Sequence, residues 1–233
     1  MLKDLHTLTP YLDFIRTCNA DPDYRDPMLL TQQQLHRNLL DAPENPNTRV
    51  FGTFEGEAIT GVFALLVLED ERYLELLAGL SRSAAAYAEL LSHLKSAHPG
   101  YQADFVYNPR NRLLQGALAA LGAEFEPEQQ KLVLCRAVPY VPDARIVPYR
   151  PEYRAQYLAL HTVDRYWTGE KVLAAPEVFR VLLALEAGEV SGYIDLTHNS
   201  TENEPYDLFV REKSRRRGLG RALLAAAVQE NRP

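Results

Sequence analysis

Residues 211–228 read REKSRRRGLGRALLAAAV, six basic side chains around a Gly-x-Gly that runs directly into an apolar stretch. Such a segment has three possible uses: to bind nucleic acid, to cradle a phosphate, or merely to solvate a helix start. Gly218 and Gly220 remove side chains at the turn, so a ligand can approach the backbone closely. The first N–H groups of a helix lack internal partners and carry the positive end of its dipole. Together these make an anion site suited to phosphate. Arg215 and Arg217 would add charge-assisted bonds. Leu219, Leu223, Ala226 and Ala227 fall on one helix face, which predicts burial on one side. A free nucleic-acid arm has no need of that. There is no Walker lysine followed by Ser or Thr and no Gly-x-Gly-x-x-Gly, so nucleoside-triphosphate and dinucleotide loops are not supported.

The elements that would position this turn follow from hydrophobic period. The first 45 residues predict two helices, TPYLDFIRTCN and TQQQLHRNLLD, each opening on a Thr that can cap it, with ADPDYRDP as the loop between them. Strand patterns then cover Val50 to Phe54, Ala58 to Leu68 and Arg72 to Leu77, with a hairpin turn at Gly56. A helix capped by Ser81 or Ser83 follows, then a strand YQADFVYN, a helix ending at Gly122, and a strand QKLVLCRAV. Four prolines between Pro139 and Pro151 mark a linker into a strand around Arg145 to Pro148.

After the linker the order begins again. EYRAQYLALHTVDRYW predicts a helix, then two strands meet at EAGEVSGYI, an echo of FEGEAITGVF. PYDLFVRE is a third strand, and the glycine turn and helix close the series. This is a weak repeat at roughly 130 residues. The expected layout is α/β, two similar domains of mixed, mostly antiparallel sheet flanked by helices: 1–138, a linker over 139–144, and 145–233. The second copy lacks the strand, helix and strand that end the first, so it is expected to be incomplete: either the chain is a fragment or something else supplies the missing elements.

The 233 residues carry a net charge of -6, which argues against general affinity for nucleic acid or anionic membrane. Cys18 and Cys135 are far apart and read as reduced, buried thiols. The six histidines show no paired spacing, so each is expected to be an ordinary surface or core residue, and no metal is expected. Neither a secretory signal nor a membrane span is apparent, and a cytoplasmic location is the expectation.

VREKSRRRGLGRALL resembles the acyl-CoA-binding motif of the GNAT superfamily of N-acyltransferases, with Arg215, Gly218 and Gly220 in its pattern and Val210 ending the preceding strand. EVSGYIDL, with Gly192 before an apolar strand, is similar to the family's third strand. The resemblance implies that the backbone from Arg216 through Arg217, Gly218, Leu219 and Gly220 to Arg221 holds the pyrophosphate of acetyl-CoA or another acyl-CoA. Leu208, Phe209 and Val210 would pair with the pantetheine arm. An acceptor amine would then attack the thioester directly, with a carboxylate taking its proton.

Asp195, Glu204 and Asp207 are the candidate bases, with Asp207 first because it stands three residues before Val210. A base needs a pKa raised toward neutrality. Equally, Asp207 is an ordinary strand-edge Asp. Tyr166 and Trp167 fall where this family builds its acceptor pocket, though aromatics there are also common in cores. The family's general-acid Tyr helix would lie past Pro233. In the first copy, NRLLQGALAALGAEF resembles that helix, with Asn111 present and Leu118 in place of the Tyr, but LAGLSRSAAAYAELL has no Arg-x-x-Gly-x-Gly. That copy is read as degenerate. The implied activity is acetyl transfer to a primary amine of a small molecule or peptide. A non-catalytic acyl-CoA sensor on the same fold is the alternative.

Overall fold

A computed structural model describes residues 1–129, 140–161, 166–198 and 203–230. The chain divides into two compact units, Met1–Lys131 and Leu132–Pro233. The strand expected over 130–138, with Cys135, lies outside the described residues.

In the first unit, β1 (Leu2–Asp4), β2 (Thr48–Glu55), β3 (Ala58–Leu68), β4 (Tyr73–Ser81) and β5 (Gln102–Phe105) form one sheet in that order. All pairs are antiparallel except β4 with β5, which run parallel from Tyr73 to Leu76 and no further. One face packs on α3 (Ala84–Ala97) and α4 (Arg112–Ala120) through Phe63, Leu65, Leu76, Tyr87, Leu90 and Leu114. The other packs on α1 (Leu12–Ala20) and α2 (Gln32–Leu35) through Val62, Ala64, Ala78, Leu80 and Ile15.

Caps decide the helix starts. Thr31 and Gln34 form a reciprocal capping box on α2. Ser83, rather than Ser81, caps α3, because the Ser81 hydroxyl donates to the Thr60 carbonyl instead. Thr9 caps nothing: it lies in a 3-10 turn ahead of α1, whose start has no side-chain cap. Gly122, with φ +77°, ends α4 as its position requires.

The second unit has β6 (Ile146–Pro148), β7 (Phe179–Glu186), β8 (Glu189–Thr197) and β9 (Pro205–Val210), antiparallel and in that order. Helix α7 (Leu219–Glu230) covers one face, burying Leu219, Leu223, Ala226 and Ala227 against Leu182, Ile194 and Leu196. The other face carries α5 (Arg154–Leu158) and α6 (Gly169–Ala174). The single long helix expected over 152–167 is therefore corrected. Helix α5 stops at Leu158, and a separate α6 starts after Thr168, whose hydroxyl accepts from the Lys171 N–H.

Two units with one construction plan can be compared strand by strand. Ser191 and Tyr206 are the extra residues at two register shifts in the second sheet, and Thr60 and Leu77 are the extra residues in the first. Counted from Gly192 and Gly61, the cross-strand pair Asp195 and Asp207 therefore occupies the register of Ala64 and Ala78.

Candidate active site

Strand β9 feeds the glycine turn. Gly192 lies across from Val210, and a Cβ at Gly192 would stand 2.6 Å from the Phe209 carbonyl oxygen, so glycine is what lets β8 and β9 approach here. After Val210 the chain makes a short 3-10 turn over Glu212–Ser214 and enters α7 through Arg216 (φ +63°) and Gly218 (φ +83°). Left-handed backbone at Gly218 is free of cost, whereas at Arg216 it is strained. Gly220 has room: a Cβ there would meet only Leu208 and Val210 side chains at 3.9 Å.

A cleft of about 410 Å³ opens on this turn, lined by Leu208, Phe209, Val210, Ser214, Arg215, Arg216, Gly218, Leu219, Gly220 and Arg221. Nine of the ten residues expected to hold a cofactor line it. The tenth, Arg217, turns to Glu186 at 3.3 Å. The Ser214 hydroxyl, and then Arg217, hold the Glu186 carboxyl below its usual range, so Glu186 anchors the turn. Arg215 donates through Nε to the Val210 carbonyl at 3.0 Å, bracing strand end to turn. Arg216 and Arg221 are exposed and face no ion pair among the described residues. The cleft is thus an open, cationic helix start, with room for an anion against the backbone.

On the opposite face of the same strands lies a polar cluster. Asp195 is fully buried and accepts from the Tyr157 hydroxyl at 3.1 Å through both oxygens and from His161 Nε2 at 2.8 Å. Asp207 accepts from the Tyr193 hydroxyl at 2.7 Å, and its Oδ2 lies 4.0 Å from His161 Nε2. The Tyr193 ring stacks on His161 at 4.9 Å and 14°, and on Phe209 at 6.0 Å and 24°. Burial pushes the Asp195 carboxyl up, against the pull of His161 and Tyr157. Burial and the Asp195 charge push the Tyr157 hydroxyl far above its ordinary value, so it stays a donor.

His161, Asp195 and Asp207 each place one ligand-type atom within 4.8 Å of the others. Those atoms are engaged in hydrogen bonds to one another and to two tyrosines. The arrangement is a hydrogen-bonded cluster of two carboxylates, an imidazole and two phenols.

The structure brings Asp207 and Asp195 together and leaves Glu204 out. Glu204 is exposed ahead of β9, where its backbone exchanges bonds with Thr197. Tyr166 and Trp167 are half-buried, edge-on to each other at 5.3 Å, with Trp167 against Phe179 at 4.8 Å and Lys171 Nζ over the Tyr166 ring at 3.8 Å. His161 is a core residue bonded to Asp195, a partnership the sequence reading did not identify. Its partners lie 34 and 46 residues away in sequence, so no local spacing announces them.

Residues 177–232 match the family model described as acetyltransferase (GNAT) domain. No curated protein matches the sequence. A GCN5-related N-acetyltransferase from Sphaerobacter thermophilus is similar over 97% of this chain and 81% of its own, at 12% identity and a TM-score of 0.55. A tandem GNAT protein from the clavulanic acid biosynthesis pathway is similar over 99% of this chain and 85% of its own, at 14% identity and a TM-score of 0.49. A GCN5-related N-acetyltransferase-like protein from Streptococcus suis 89/1591 is similar over 96% and 84%, at 10% identity and a TM-score of 0.48. The likeness to the Sphaerobacter protein shows a GNAT-like fold, and the two sheets of this chain repeat one strand plan. The family match falls in the second unit, on the strands and helix that make the cleft.

Proposed function

We propose that the second unit binds an acyl-CoA at the cleft beside the glycine turn and transfers the acyl group to a primary amine. The observation that carries this reading is a single cleft lined by both the end of β9 and the cationic start of α7. Backbone N–H groups from Arg216 to Arg221 hold the pyrophosphate, with Arg216 and Arg221 adding charge. Leu208 to Val210, on a strand paired on one side only among the described residues, offer backbone bonds to the pantetheine amides. The amine nitrogen attacks the thioester carbonyl, a C–N bond forms and the C–S bond breaks. Asp207 takes the amine proton, and the CoA thiolate leaves with the bonding pair and is protonated.

Calorimetric titration with acetyl-CoA and with free CoA tests the reading. Both should bind, and Gly220→Glu should abolish binding while the fold is kept, because the backbone there tolerates a Cβ and the added carboxylate faces the phosphate. A wild-type protein that binds neither ligand would overturn it.

A further inference from the structure

One arginine stands at the same place in both units, and its surroundings differ. Gly61 lies across from Ser81, and Gly192 across from Val210. Those partners end β4 and β9, so Arg82 and Arg211, the next residues, are counterparts in register. Arg82 has three partners. It donates to the Thr17 carbonyl at 3.0 Å, pairs with the Asp21 carboxylate at 2.9 Å, and lies over the Tyr24 ring at 5.9 Å. All three come from α1 and the loop that follows it.

Arg211 has no such set. Its backbone N–H bonds to the Ser191 carbonyl at 2.8 Å, which fixes the residue on the sheet. The side chain is half-buried, and its Nε is shut off from solvent with no hydrogen-bond partner among the described residues. No ion pair reaches the guanidinium among them either. A buried donor left unmet costs stability, and in a native protein it calls for an explanation. The cofactor cleft does not supply one, because its lining passes from Val210 to Ser214 and omits Arg211. Residues alternate sides along a strand, so Arg211 falls on the face of Asp207 and Phe209, away from Leu208 and Val210. The anion that Arg211 suits is therefore distinct from a phosphate in the cleft.

We propose that Arg211 binds a carboxylate of the acceptor, which makes the acceptor an amine that also carries a carboxylate, as amino acids and short peptides do. The first unit displays the interaction made by an arginine at this register when the chain itself supplies the acid, through Asp21. In the second unit the ligand supplies it. A guanidinium presents Nε and a terminal nitrogen side by side, which matches the two oxygens of a carboxylate. About 13 Å of strand separates Asp207 from Arg211. One small molecule can thus offer its amine to the first and its carboxylate to the second. The proposal rests on the acyltransferase reading for the word acceptor, whereas the carboxylate site stands without it.

Proton–nitrogen spectra of the arginine side chains, recorded on the full chain, test this with 6-aminohexanoate and with hexylamine, in which a methyl group replaces the carboxylate. 6-Aminohexanoate should move the Arg211 Nε–Hε resonance saturably and leave that of Arg82 in place. Hexylamine and inorganic phosphate at the same ionic strength should leave both in place. Arg211→Gln should weaken the 6-aminohexanoate Kd, read from backbone shifts, by about 10- to 100-fold. An Arg211 resonance that ignores 6-aminohexanoate, or that answers equally to hexylamine or phosphate, would overturn the proposal. So would either of two controls. Asp164 is the first acid after α5 in the sequence, as Asp21 is the first after α1. If Asp164→Asn moves the Arg211 resonance as Asp21→Asn moves that of Arg82, the anion is internal. If Arg211→Gln lowers the unfolding midpoint as much as Arg82→Gln does, the residue is structural. Acetyl-CoA titration of the same wild-type sample keeps the two readings apart. Its failure to bind would sink the acyltransferase reading, while the Arg211 resonance would still decide the carboxylate site.

Discussion

Asp26 and Asp195 are both withdrawn from water, yet they are held in opposite ways. Asp195 accepts from side chains, Tyr157 and His161, whereas Asp26 accepts two backbone N–H bonds, from Met28 and Gly79, at 2.7 Å. Burial pushes the Asp26 carboxyl up to about 7, against those bonds. An unfolded Asp titrates near 3.9. Between roughly pH 4 and 7 the native chain therefore holds a proton that the unfolded chain has released, and stability falls as pH rises through that window. The slope should reach at most about 1.4 kcal/mol per pH unit. Denaturant titrations from pH 4 to 8 should show the decline in wild type and a flatter profile in Asp26→Asn. Asp207 has the catalytic counterpart of this prediction. Asp207→Asn should lower kcat by about 10²- to 10⁴-fold once an acceptor is in hand, with the acetyl-CoA Kd unchanged. Equal loss of both would move Asp207 from proton transfer to cofactor binding.

The turn between β9 and α7 shows what an element can reveal from sequence and what it cannot. Its glycines, its arginines and the apolar stripe on α7 are local features, readable because a helix repeats every few residues. That Arg215 braces the strand end while Arg217 turns to Glu186 depends on Val210 and Glu186, and no local rule gives it. Helix α5 departs from its sequence pattern for a related reason. EYRAQYLALHTVDRYW keeps a helical period well past Leu158, but α6 then packs Gly169 against His161 and Leu158, where an added Cβ would stand 3.0 Å from each, and tertiary contact outranks propensity. Two substitutions test the element. Leu223, fully buried beneath the turn, should cost about 2–5 kcal/mol as Leu223→Ala by denaturant unfolding. Gly218→Ala should cost about 1–2 kcal/mol through its positive φ alone and weaken acetyl-CoA binding by distorting the turn.

At the scale of the whole molecule, the repeat predicted from FEGEAITGVF and EAGEVSGYI is seen in the shared strand plan and register of the two sheets, and the two copies differ at their centres as well as in β5 and α4. In the first, β4 and β5 stop pairing after Leu76, and the freed N–H of Gly79 is taken by Asp26 rather than left for a ligand. Saturating acetyl-CoA should therefore slow hydrogen exchange across 208–221 and leave 77–83 unchanged; protection in the first unit as well would show that both copies bind.

The sequence has one tryptophan, Trp167, and it packs against Phe179 within the second unit. Indole emission is accordingly a private reporter of that unit, while far-ultraviolet dichroism sees helices and strands of both. A pH-induced loss of dichroism through neutrality with no change in emission would locate the softening in the first unit, which holds Asp26 and no tryptophan.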